Sequence, residues 1–202
     1  MLTPPQPGPF LVVLSGPSGV GKDTVLDRLK ELKFPFHYVV TATTRPRRSG
    51  ERNGREYHFH TQADFKQMIA GNELIEWAEV YGNFYGIPRR EIEAPLRAGQ
   101  DTIVRVDVQG SATIKRLLPG AIFVFLVPLS MDELARRLRL RKSESEADLS
   151  HRLRKAEQEM ATLPMFDYVV VNEQDRLDRT IGQIEAILTA ERCRVQPRVI
   201  RL

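Results

Sequence analysis

The sequence predicts an α/β fold in which helices cover both faces of a parallel sheet. Three observations carry this. Short apolar runs rich in Val, Ile and Phe have the length of strands. Stretches between them place apolar residues three or four apart. A glycine-rich segment, SGPSGVGKDT at 15–24, joins the first run to the first such stretch.

Taken in order, residues 10–14, 103–106, 121–127 and 168–171 read as buried strands, because they are apolar without strict alternation and turn signals lie close by. Val25, Leu26, Leu29 and Leu32 form one helical stripe, and Leu177, Ile181, Ile184 and Leu188 another. Ser130-x-x-Glu133 reads as a capping box opening the helix that carries Leu134 and Leu138. Two stretches break the alternation. Residues 41–86 hold TTRPRRSGERNG, REYHFH and YGNFYG and predict a strand-and-turn insertion with a helix near 63–70. Residues 136–154 are dense in charge, as a lid or a solvated face would be.

Composition narrows the class. With 202 residues, 42% hydrophobic and 28% charged, the chain can bury a core without staples. Its single cysteine, Cys193, cannot pair within the chain, so a reducing, cytoplasmic setting is expected. The longest apolar run, at 121–127, is too short for a bilayer, and the proline-rich opening at 1–9 reads as a flexible lead-in rather than a secretory signal. His37, His58, His60 and His151 lack metal-ligand spacing, so a zinc site is not expected. A net charge of +4 suits phosphate-bearing partners.

Gly16-x-x-x-x-Gly21-Lys22 fits a P-loop up to its last position. Glycines let the backbone curl around a phosphate with N–H groups inward, and the following helix offers its positive end. Gly16, Pro17, Ser18, Gly19, Val20, Gly21, Lys22, Asp23 and Thr24 are therefore the expected nucleoside-triphosphate cradle, with Lys22 reaching the β- and γ-phosphates. The motif has Ser or Thr after the lysine, to touch Mg²⁺; here Asp23 stands there, able to hold the ion directly or through water. Thr24 comes one position too late to substitute. In the insertion, Arg45, Arg47 and Arg48, with Tyr57, Tyr81 and Tyr85, could hold a second anion or form a solvated basic loop.

GPSGVGK, TATTRPRRSGERNGREYHF, ELIEWAEVYGNFYG and VDVQG occur in the order and spacing of guanylate kinases, over residues from about 10 to about 188. The chain resembles that family. The resemblance implies a P-loop NTPase-type three-layer α/β/α core with a five-stranded parallel sheet, a mixed α/β GMP-binding insertion and a mobile lid. Mapped here, the core is 10–40, 93–135 and 158–188, the insertion 41–92, the lid 136–157 and the tail 189–202. It also implies transfer of the γ-phosphoryl of ATP to GMP with Mg²⁺, in purine nucleotide metabolism and GMP recycling. By motif match, Arg45, Arg48, Tyr57 and Tyr85 would hold the GMP phosphate, Thr41 would face guanine O6, and Glu76 would read the guanine edge. Arg137 and Arg141 match lid arginines and Arg152 one on the next helix; with Lys22 and Arg45 they form the expected catalytic set. Asn172 either lies near adenine or caps the turn after VVV. Asp107 would serve the GMP site, Mg²⁺ or a neighbouring arginine.

Guanine presents N1–H and N2–H₂ side by side, which one carboxylate accepts together; adenine offers an acceptor there instead. The attacking phosphate oxygen is already anionic, so no catalytic base is needed, and neutralising two polyanions is the main task. The chain departs from the family at Asp23, at Arg105, where an acid is common, and at Ile87, where Ser or Thr often follows YG. Trp77 is expected to pack behind Glu76, and the tail arginines Arg192, Arg194, Arg198 and Arg201 to fray, with no nucleic acid or membrane partner. The oligomeric state is left open. Two other readings compete: a guanylate-kinase-like interaction module without catalysis, and a P-loop kinase for another small phosphorylated substrate. Modules of the first kind typically have an eroded cradle, whereas both glycines and Lys22 stand here.

Overall fold

The computed structural model describes residues 8–80, 82–139 and 146–202. The chain opens with β1 (Leu11–Ser15), α1 (Lys22–Glu31) and β2 (His37–Tyr38). An insertion follows: β3 (Ala42–Thr43), β4 (His58–Phe59), α2 (Gln62–Ala70), β5 (Leu74–Val80) and β6 (Asn83–Pro88). The chain then returns through α3 (Arg89–Arg97), β7 (Thr102–Arg105), α4 (Val108–Leu117) and β8 (Ile122–Val127). It closes with α5 (Met131–Arg139), α6 (Glu146–Met160), β9 (Tyr168–Val171) and α7 (Leu177–Arg192).

The central sheet has five parallel strands in the order β2-β7-β1-β8-β9. Strand alternation sorts the core into two faces. Val12 and Leu14 meet Val25 and Leu29 of α1 and Ile181 and Ile184 of α7. Leu11 and Val13 point the other way, to Ile92 and Leu96 of α3 and Ile114 of α4. Both faces are covered, which explains why these strands read as continuous apolar runs. The predicted three-layer core is present. Four of its strands lie where the apolar runs placed them. The fifth, β2, is two half-buried residues whose polar and aromatic character gave no strand signal. Leu32, expected on the buried stripe of α1, instead caps that helix and is 45% exposed.

In the insertion, β4-β3-β6-β5 form a second sheet, with β3 and β4 parallel and the other pairs antiparallel. α2 begins at a capping box in which Thr61 and Asp64 bond each other's backbone. The register of β5 against β6 slips between Leu74 and Glu76. That bulge lets Leu74 and Ile75 both bury, and resets the side to which Glu76 points. Trp77 consequently lies on the opposite side from Glu76. It is 47% exposed and edge-on to Phe84, not packed behind the carboxylate as expected.

The pieces are strapped together by Glu91 of α3, whose carboxylate meets His37 Nε2 of β2 (3.1 Å), His58 Nε2 of β4 (2.9 Å) and the Val40 N–H (3.2 Å). The anticipated boundaries at 92/93, 135/136, 157/158 and 188/189 each fall inside a helix. The tail does not fray. Arg198 donates Nε to Glu191 Oε2 (2.9 Å), Nη2 to Glu191 Oε1 (2.7 Å) and Nη1 to the Ala121 carbonyl (3.0 Å). Glu191 also accepts from the Tyr168 hydroxyl (2.6 Å). Arg192 pairs with Asp101 and lies over the Phe10 ring.

Candidate active site

Every functional loop of the core leaves the carboxyl end of a sheet strand, where parallel sheets place ligands. The P-loop follows β1, Asp107 follows β7 and Asn172 follows β9. Gly16, Gly19 and Gly21 all have positive φ. At Gly16 and Gly21 space is decisive as well: a Cβ would come within 2.4 Å of the Leu126 carbonyl or 2.5 Å of Asn172 Nδ2. Lys22 Nζ donates to the Gly16 (2.6 Å) and Pro17 (3.1 Å) carbonyls. Burial lowers its pKa to about 8, against the opposing pull of Glu159.

The far side of the loop is held from behind. Asn172 Nδ2 (2.7 Å) and Arg137 Nη1 (3.0 Å) both donate to the Val20 carbonyl. Arg137 Nη2 donates to the Asn172 carbonyl (2.7 Å) and to Glu133. Glu133 Oε1 also accepts the Gln174 N–H (2.9 Å). Only half of the expected capping box therefore forms: Ser130 Oγ receives the Glu133 N–H (3.1 Å), while the Glu133 carboxylate turns to Arg137. Asn172 is buried, and its amide oxygen accepts from Thr180 Oγ1 (3.1 Å), so its side chain braces the P-loop instead of capping its own turn. It also lines, with Gly21, Thr24 and Leu177, a cleft of about 430 Å³ against the loop, wide enough for a nucleoside. Arg137 reaches the loop backbone from this side; Arg152 lies half-buried on α6, and Arg141 and Tyr81 lie outside the described residues. Glu159, near the end of α6, accepts the Ser18 N–H of the P-loop (3.2 Å), placing a carboxylate where a phosphate oxygen would bind.

A second cleft, of about 830 Å³, lies between core and insertion, with Asp23, Tyr38 and Arg105 on one side and Thr41, Glu51 and Tyr57 on the other. Arg45 is aimed by Glu51 through two bonds (2.7 and 3.1 Å), and Glu51 also accepts the Arg48 N–H (2.7 Å). The Arg45 guanidinium lies 5.3 Å over the Tyr57 ring, and Tyr57 meets Tyr85 edge-on at 6.2 Å. Arg47 and Arg48 are exposed. Glu76 projects toward the start of α4. There Asp107 Oδ1 accepts the Gly110 N–H (2.8 Å), and a Cβ on Gly110 would stand 3.3 Å from the Glu76 carboxylate. Burial, and secondarily the negative charge of Asp107, push the Glu76 pKa up to about 7.

The comparisons decide between the competing readings. The guanylate kinase family profile matches residues 9–191. The chain is 44% identical over 98% of its length to "Guanylate kinase 2, chloroplastic/mitochondrial" of Oryza sativa subsp. japonica, covering 70% of that protein. It is 42% identical to a guanylate kinase of Desulfitobacterium hafniense, covering 93% of this chain and 92% of that one. A solved guanylate kinase from Anaplasma phagocytophilum superposes with a TM-score of 0.72 at 32% identity, over 94% of this chain and 88% of that one.

The chain belongs to the guanylate kinase family.

Within a guanylate kinase framework, the three departures become structurally intelligible. Ile87 is fully buried against Leu11, Val13 and Ile75, so its side chain is core and offers the cleft nothing. Asp23 and Arg105 pair with each other. This bears on the metal. Asp23 shares its carboxylate with a guanidinium, Asp107 spends Oδ1 on capping α4, and the described residues contain no group of three or more acidic, His or Cys side chains that could hold an ion. A Mg²⁺ arriving with ATP would therefore find, from these two side chains, the open side of Asp23 and the second oxygen of Asp107, directly or through water, with phosphate oxygens supplying the rest. Sequence reasoning also missed Glu51, Glu159 and Gly110, and read Glu133 only as a cap partner. The GE of the insertion motif and the i,i+4 spacing of Glu133 to Arg137 were available signals; nothing local marked Glu159.

Proposed function

We propose that the chain transfers the γ-phosphoryl group of ATP to GMP, giving ADP and GDP. The observation that carries this reading is Glu76. This desolvated carboxylate stands at the N-terminus of α4, beside Asp107 and in the same insertion as the Arg45–Tyr57–Tyr85 cluster. A base whose edge offers two adjacent N–H donors satisfies that carboxylate, and the cluster suits the base's own phosphate. Adenine would face Glu76 lone pair to lone pair, a mismatch worth roughly 10⁴ in selectivity.

ATP is assigned to the P-loop with its nucleoside in the cleft beside Asn172. An oxygen of the GMP phosphate forms the new bond to Pγ while the bond to the β–γ bridging oxygen breaks, and ADP leaves with that electron pair. No general base is called for. Lys22, the P-loop amides and the arginines position the two anions and spread the charge of the transition state. Mg²⁺ bound with the ATP would supply further neutralisation of phosphate charge, and Asp23 and Asp107 are the side chains that would meet it or orient its water.

We assign this reaction to purine nucleotide metabolism and GMP recycling because its acceptor and product are purine nucleotides; the single exposed cysteine and the bacterial relatives suit a cytoplasmic setting. Among the described residues no helix is long and apolar enough to cross a membrane. The test is ADP release from MgATP with GMP, AMP, CMP and UMP offered separately. Turnover should occur with GMP and be lost in Lys22→Ala. Turnover with another monophosphate in preference to GMP would favour a P-loop kinase of different specificity.

A further inference from the structure

Two positions beside the phosphates depart from the family pattern, and they are each other's partner. Where the P-loop motif has a hydroxyl, the chain has Asp23; where the family commonly has an acid, it has Arg105. Arg105 Nη1 donates to Asp23 Oδ1, joining the end of β7 to the second residue of α1.

The pair is poorly explained as a staple. The Asp23 side chain is 63% exposed, and ion pairs so open to water add little stability. Its location is more telling. Arg105 ends a strand next to β1 at the carboxyl edge of the sheet. Its charge reaches Lys22, where it opposes the pull of Glu159, Asp23 and Asp107. It also lines the cleft between core and insertion with Thr41 and Tyr57. Arg105 thus stands between the P-loop lysine and the acceptor side, where donor and acceptor phosphates must meet. Its one side-chain hydrogen bond among the described residues leaves the remaining guanidinium donors for other oxygens.

Resting on the phosphotransferase reading above, we propose that Arg105 is a catalytic phosphate-binding residue of this chain, and that Asp23 is its positioning residue. The guanidinium contributes from the protein the cationic contact that the P-loop hydroxyl otherwise makes through a metal. A fork of N–H donors suits polyphosphate oxygens, and a fixed carboxylate partner keeps that fork from relaxing into solvent. The consequence is specific: the affinity of this protein for metal-free ATP depends on Arg105.

The experiment measures ATP binding by calorimetry in EDTA and in Mg²⁺, for the wild type, Arg105→Gln, Arg105→Lys and Asp23→Ser. Gln keeps a hydrogen bond to Asp23, so Arg105→Gln should fold and melt close to the wild type. In EDTA it should bind ATP about tenfold more weakly than the wild type, with a smaller loss in Mg²⁺. Arg105→Lys should recover part of that binding, as a charge without the fork. Asp23→Ser should lower kcat more than it raises KM for ATP, because the charge remains but its aim is lost. The double variant Asp23→Ser/Arg105→Asp should lose metal-free binding and need more Mg²⁺ for turnover. Metal-free binding by Arg105→Gln within about twofold of the wild type would overturn the assignment, as would a change confined to thermal stability. The two readings fail separately. A wild type that does not convert GMP sinks the proposed function whatever Arg105 does, and normal GMP turnover with an indifferent Arg105→Gln sinks only this one.

Discussion

Two residues in the site carry protons loosely enough to be read near neutrality. Glu76 has its pKa raised to about 7 by burial and by Asp107. Accepting both guanine donors requires its ionised form, so GMP affinity should strengthen as pH rises from 6 to 8, and Glu76→Gln should flatten that profile while erasing the preference for GMP over AMP. A pH-independent GMP KM in the wild type would contradict this. The sign for stability is the opposite. A carboxyl whose folded pKa is raised keeps its proton where the unfolded chain has lost it, so its contribution weakens as pH climbs from 4.5 toward 7. Glu76→Gln should therefore be more stable than the wild type at pH 8, on the order of 2 kcal/mol. Lys22 shows the same logic in a base. With its pKa lowered to about 8, it is partly neutral at pH 8, and an arriving polyphosphate favours the charged form. ATP binding at pH 8 should take up about half a proton, measurable by calorimetry in buffers of different ionisation enthalpy, and Lys22→Met should abolish the uptake.

At the scale of elements, function depends on how closely one segment approaches another. β5 and α4 meet where Glu76 passes Gly110: a Cβ there would stand 3.3 Å from the Glu76 carboxylate and 3.2 Å from Val106 Cβ. Gly110→Ala should push the carboxylate aside and raise the GMP KM about tenfold, with the ATP KM little changed. Equal effects on both substrates would mean that α4 itself had been disturbed. α6 meets the P-loop through Glu159 and the Ser18 amide. On the proposed assignment of ATP to the P-loop the nucleotide displaces that carboxylate, so Glu159→Gln should tighten ATP binding by about three- to tenfold, on the order of 1 kcal/mol; unchanged affinity would show that the contact does not compete. Because α6 continues the charge-dense segment, this contact links the charge state of the P-loop to the helix that carries Arg152.

For the whole molecule, the last segment of the chain closes the side of the core. Glu191 is buried, and Arg198 answers it with two bonds while also reaching Ala121 and Asp167. Burial alone would raise the pKa of Glu191, but Arg198 and Tyr168 reverse this and hold it below its ordinary value. That contribution is therefore present above about pH 4.5 and is lost as acid protonates the group. Arg198→Ala leaves the buried Glu191 carboxylate to the Tyr168 hydroxyl and the more distant Arg194 guanidinium (3.6 Å), and should cost about 3 kcal/mol, a fall in Tm on the order of 10 °C, with the KM for ATP and GMP unchanged. A melt identical to the wild type would return the tail to the status of a loose end.

The sequence by itself determined the class of fold, the phosphate cradle and the family. Periodicity reports which face is buried, and a P-loop is a local structure written in consecutive residues, so strand, glycines, lysine and helix are legible in one pass. Glu76 was legible only through its motif, since an isolated strand carboxylate has no distinguishing local signal. Tertiary structure alone decided the partnerships. The bulge in β5 put Trp77 outside and Glu76 inside, Glu133 left its cap for Arg137, and Arg198 found Glu191. Asp23 and Arg105, 82 positions apart, became a pair. The physical reason is that propensity acts over a few residues, whereas a charge or a close approach is defined by whatever the folded chain brings beside it.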